Sequence, residues 1–127
     1  MPRFERDPRA SGPLVQGFAG GAFTVDGGRY RALLLTPHSA AEWQPPPLGN
    51  LVIENLASIL EVDPQPEFLL LGTGAGFAFA PKALREALEA RGIGIEAMDS
   101  RAAARAWGVL RAEERWIVAA LMPLDQS

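Results

Sequence analysis

The residues whose types and spacing suit chemistry lie in the second half of the chain. Gly72, Thr73 and Gly74 follow directly on the apolar run Phe68 to Leu71, and Met98, Asp99 and Ser100 follow the run Ile93 to Glu96. Arg101 and Arg105 come next. Loop glycines present backbone N–H groups, Thr73 and Ser100 present hydroxyls, Glu96 and Asp99 present carboxylates, and Arg105 presents a guanidinium. Gathered in one crevice, these groups would hold an anion or a small polar ligand. The same residues also have a structural reading. In it the glycines make a tight turn, Asp99 caps a helix, and Arg105 bonds backbone carbonyls.

Sharper motifs fail on inspection. A dinucleotide fingerprint needs G-x-G-x-x-G between strand and helix, with an acid about 20 residues on. Gly72 and Gly74 fit, and Glu96 ends the next strand, but position 77 is Phe and the helix starts only near Pro81. Lys82 has no G-K-[ST] context, so there is no P-loop. His38 is the single histidine, and no nucleophile or orienting acid lies at a recognisable spacing from it. Ser39 and Ser100 lack a nucleophile elbow. Cysteine is absent, which excludes disulfides, thiolate nucleophiles and Cys-ligated metals. No metal, cofactor or catalytic residue is expected.

The elements that must position these residues follow from periodicity. Residues 1–13 read as a flexible tail, and 14–127 as a single α/β domain. Phe23 and Val25 alternate with polar neighbours, Asp26-Gly27-Gly28 turns the chain, and Arg29 to Leu35 runs back, predicting a β-hairpin. Pro37, Pro45, Pro46, Pro47 and Gly49 predict irregular chain around Trp43. Ile53, Leu56, Ala57 and Leu60 predict a short helix that stops before Pro64. Phe68–Leu71, Ile93–Glu96 and Trp116–Met122 are apolar runs of the kind buried on both faces of a sheet.

Between these runs lie two helices. One opens at Pro81, buries Leu84, Ala87 and Leu88, and closes at Gly92. The other is capped by Asp99 or Ser100 and buries Ala103, Ala106, Trp107 and Leu110. The order strand–helix–strand–helix–strand gives two right-handed βαβ crossovers and a mostly parallel central sheet. The N-terminal hairpin extends that sheet or packs as a second small layer.

Composition narrows the class. A length of 127 residues, with 48% hydrophobic and 21% charged, suits one folded domain. The net charge of −3, with no basic run, argues against nucleic-acid binding. No apolar stretch reaches the roughly 20 residues of a membrane span, so insertion is not expected, while peripheral association stays open. Met1 to Gly12 lacks the apolar core of a signal peptide, which makes a bacterial cytoplasm the expected location.

The linked motifs Leu69-Leu70-Leu71-Gly72-Thr73-Gly74, Pro81, Arg91-Gly92-Ile93-Gly94-Ile95-Glu96-Ala97-Met98-Asp99-Ser100 and Val118-Ala119-Ala120-Leu121 resemble the domain-of-unknown-function 498 family. The likeness covers about residues 68–123 and upstream rests on Tyr30, Pro37 and Trp43. It implies a small three-layer α/β domain with a mixed sheet and no established enzyme activity. The family includes a mitochondrial complex I assembly factor and an adipogenesis-associated protein. Where the family pattern reads Thr this chain has Ser100, and Ala106 and Gly108 stand where a hydroxyl and an amide are usual. The implied function is a non-catalytic binding or assembly-factor-like protein with a protein partner, linked to a membrane-associated respiratory or secretory complex. The alternative is a small-molecule or anion-binding protein, or an enzyme, using the crevice at the strand ends.

Overall fold

The runs Phe68–Leu71 and Trp116–Met122 become buried strands with alternate side chains on opposite faces. The run Ile93–Glu96, expected to be covered on both faces, instead gives an edge strand that is half-buried to exposed. The computed structural model describes residues 12–126. In chain order its strands are β1 (Gly17–Ala19), β2 (Ala22–Val25), β3 (Gly28–Tyr30), β4 (Leu33–Leu35), β5 (Ala40–Glu42), β6 (Phe68–Gly72), β7 (Gly94–Met98) and β8 (Val118–Leu121). The α-helices are α1 (Ala57–Leu60), which continues a 3₁₀ turn over Ile53–Leu56, α2 (Lys82–Ala90) and α3 (Ser100–Ala112).

The main sheet has the order β5-β4-β8-β6-β7, and β1-β2-β3 form a separate sheet. From one face of the main sheet, Leu70, Ala119 and Leu121 meet Ala103, Ala104 and Trp107 of α3 and Phe23 and Val25 of β2. From the other, Leu69, Leu71, Val118 and Ala120 meet Leu84 and Leu88 of α2 and Ile59 and Leu60 of α1. Each fully buried leucine contributes about 1.5–3 kcal/mol. The helices fall on opposite faces because the first crossover runs outward from β6 to β7, and the second returns across β6 to β8.

The sheet is mixed, which corrects the expectation of a mostly parallel one. β6 is parallel to β7 and β8, whereas β4 is antiparallel to β8 and to β5. The small sheet is wholly antiparallel. The cause is the chain's entry. The expected return strand from Arg29 to Leu35 breaks at Arg31 and Ala32, so β3 stays in the small sheet and β4 joins the large one without a helical crossover. β7 is also at the edge of the sheet, not its centre.

The proline-rich stretch holds β5, a strand that pairing with β4 imposes. Of the expected tail, residues 1–11 lie outside the described residues. Pro13 is buried, and its carbonyl accepts a 2.9 Å bond from Trp107 Nε1.

Two arginines fix the entry to β8. Arg111 is buried, and its Nη1 donates to the Arg115 carbonyl at 2.6 Å. Burial lowers the Arg111 pKa, partly offset by the charge of Glu114. Arg115 grips the Glu67 carboxylate through Nη2 at 3.0 Å, and the Trp116 N–H donates to the same group at 3.0 Å. The Arg115 hydrogen bond first, then that of the Trp116 backbone, hold Glu67 below its ordinary carboxylate value.

Candidate functional site

The strand-end residues come together, but as a closed network. Gly72 ends β6, and a Cβ there would lie 2.8 Å from Ser100 Oγ and 2.9 Å from Leu121 Cδ2. Gly74 has φ +107°, and a Cβ would meet the Gln126 carbonyl oxygen at 2.3 Å. The glycines are therefore required by the chain's own packing. Ser100 is fully buried. Its hydroxyl donates to the Met122 carbonyl and accepts from the Gly74 N–H, both at 2.8 Å.

Thr73 Oγ1 lies 2.7 Å from the Gly76 carbonyl, to which it donates, and accepts from the Ala78 N–H at 3.1 Å. The Ala75 N–H donates to the Gln126 carbonyl at 2.8 Å, so the segment 122–126 is clasped across the strand ends. Asp99 accepts from the Ala102 N–H at 3.0 Å and caps α3.

Glu96 and Arg105 do not join this cluster. Glu96 is exposed on β7. Arg105 is exposed and borders a shallow depression with Val15, Gln16, Gly17, Phe18 and Ala104. Helix phase explains this: with Ala103, Ala104 and Trp107 facing the core, Arg105 is turned to solvent. The expected convergence of carboxylate, guanidinium and loop amides in one crevice is thus corrected. His38 is exposed as well, with its ring edge-on to Trp116. Among the described residues, no group of three or more His, Asp or Glu gathers as metal ligands.

The loop's outer side is different. Phe77 is 57% exposed and Phe79 is 84% exposed, with ring centroids 5.0 Å apart. With Ala80, Arg85, Ile95 and Ala97 they line an open depression of about 250 Å³. That lies below the ~300–1,000 Å³ of small-molecule pockets. Two adjacent aromatics left in water leave apolar area unspent on the chain's own core.

A second depression of about 300 Å³ lies by Arg31, Glu42, Trp43 and Gln126. Its charged groups are paired within the chain: the Arg31 N–H donates to Glu42 at 2.7 Å, and the Arg31 guanidinium meets Asp125 at 3.4 Å.

Sequence reasoning noted Phe77 only as a break in a glycine motif and passed over Phe79. The available signal was the alternation Phe77-Ala78-Phe79-Ala80 in a linker between strand and helix, where nothing calls for core side chains.

A family model described as a protein of unknown function (DUF498/DUF598) matches residues 15–122, and so extends well upstream of the segment 68–123 that carries the motif likeness. An uncharacterized protein of Rhodobacter capsulatus is 35% identical over 94% of this chain and 92% of its own length. NADH dehydrogenase [ubiquinone] 1 alpha subcomplex assembly factor 3 of Danio rerio is 27% identical over 90% of this chain, which spans 66% of that protein's length. The solution structure of a Bordetella pertussis protein described as an Mth938-like domain superposes with a TM-score of 0.76 at 27% identity, covering 100% of this chain and 94% of that one. Among the described residues, no helix is long and apolar enough to cross a membrane.

Proposed function

This chain belongs to the DUF498/DUF598 family, and from that we propose that it is a non-catalytic, assembly-factor-like protein that docks a protein partner on Phe77 and Phe79. The observation that carries the reading is the exposed aromatic pair beside an apolar depression. The zebrafish relative, an assembly factor by name, supports the same class of role and suggests a partner within a membrane-associated respiratory complex. Aromatic side chains dominate the energetics of such interfaces, because each removes a large apolar area from water at little entropic cost.

The test compares tagged wild-type chain with Phe77→Ser/Phe79→Ser, both purified from cells of the source organism. The variant is expected to lose the co-purifying partner while melting at the wild-type temperature. Recovery of the same partner at the same yield would remove this surface from consideration.

A further inference from the structure

β7 is an edge strand, and its unpaired side opens beside the aromatic pair. Its register with β6 shows which backbone groups are left over. The Gly94 N–H donates to the Glu67 carbonyl, and the Met98 carbonyl accepts from Thr73 N–H. Gly94, Glu96 and Met98 therefore turn their backbone groups toward β6. Ile95 and Ala97 turn theirs outward. The side chains of Ile95 and Ala97 also line the depression with Phe77, Phe79, Ala80 and Arg85. Open hydrogen-bonding groups and an apolar receptor thus belong to the same residues.

We propose that β7 receives an extended segment of a partner protein as a sixth, antiparallel strand, with an apolar–basic–apolar pattern opposite Ile95, Glu96 and Ala97. This deepens the reading of Phe77 and Phe79 as a docking surface, and rests on it. Residues directly opposite across a strand pair share a face. The two apolar residues of the segment therefore enter the depression, and the basic one meets Glu96 on the other face. Arg85 in the depression repels a cation there, so the pattern has a fixed sidedness.

The same charge logic disfavours a second copy of this chain. Antiparallel self-pairing centred on Glu96 sets Glu96 directly against its own copy, in the closely spaced kind of pair. Registers that avoid this clash give up overlap on a strand of five residues.

The probe is the peptide acetyl-Thr-Val-Lys-Val-Thr-amide, titrated into the full chain while amide exchange is followed by NMR. The expected result is concentration-dependent protection of the Ile95 and Ala97 amides, with β5 at the other edge unaffected. Lys-to-Glu in the peptide should weaken protection about fivefold, and Glu96→Lys in the chain should reverse that preference. N-methylation of both valines should abolish protection, and the peptide with the inverted pattern, acetyl-Thr-Lys-Val-Lys-Thr-amide, should give none. Absence of protection at β7, protection by the N-methylated peptide, or an unchanged preference in Glu96→Lys would overturn the proposal. A partner captured through Phe77 and Phe79 with undiminished yield in Glu96→Lys would keep the docking surface and remove the strand pairing. Protection at β7 alongside partner capture indifferent to Phe77→Ser/Phe79→Ser would do the reverse.

Discussion

The two sides of the segment from Gly72 to Ala80 behave as opposites. On its inner side the hydroxyls of Thr73 and Ser100 and the backbone N–H groups of Thr73, Gly74 and Ser100 all have partners in the chain, and the glycines are there because Ser100, Leu121 and Gln126 stand where a Cβ would go. On its outer side two phenylalanines that touch each other stay largely exposed, and the outer edge of β7 pairs with no strand of the described chain. A site that could take a ligand must leave some hydrogen-bonding or apolar capacity unspent. Only the outer side does, although the inner side has the residue types that look chemical. Substitutions on the two sides should therefore part cleanly, with stability lost on one and binding lost on the other.

The largest expected effect is at Gly74. Gly74→Ala forces a left-handed backbone angle on a residue with a Cβ and drives that Cβ into the Gln126 carbonyl. Strain and overpacking together should cost about 2–4 kcal/mol, read by chemical unfolding. A variant of wild-type stability would mean that the 122–126 segment is easily displaced, and the crevice would be open after all.

Ser100→Ala comes next. It strands the buried Gly74 N–H and Met122 carbonyl without adding volume, and should cost about 2 kcal/mol. An unchanged unfolding midpoint would show that water or another group satisfies both, and would reopen the region to a polar ligand.

How far the sequence foretold this contrast depends on where each signal is stored. Asp99 as cap of α3, Gly92 as the close of α2 and the buried runs of β6 and β8 are local signals, and each appears where expected, whereas the run of β7 looks equally buried in sequence and lies half-exposed at the sheet edge. The separation of β3 from β4, and the strand β5 inside a proline-rich stretch, are set by pairing with distant residues. No local pattern marks them. The buried Arg111 was equally hidden, because only the fold shows that its guanidinium reaches the Arg115 carbonyl. At the site, the residue types of Gly72, Thr73, Asp99 and Ser100 were legible, but whether their hydrogen bonds were already used was not. That depended on where the segment 122–126 folds back. Phe77 and Phe79 carried the opposite signal, apolar bulk in a place with no core to fill.

Arg105 should show the smallest effect. It lies on α3 with the residues that pack into the core, so sequence alone allows it to reach the strand ends and lock the inner network. In the fold it is exposed and borders only the shallow depression beside Val15 to Phe18. Loss of its guanidinium removes no buried hydrogen bond. Alanine also favours helix slightly more than arginine, and a cation in the N-terminal half of a helix gains nothing from the helix dipole. Arg105→Ala should therefore stay within about 0.5 kcal/mol of wild type and leave partner capture through Phe77 and Phe79 unchanged. A loss of about 1–3 kcal/mol, the scale of a charge-assisted bond left unmade, would tie Arg105 to the strand ends after all. A loss of partner capture at unchanged stability would move the docking surface from the β7 edge to the depression between α3 and β1.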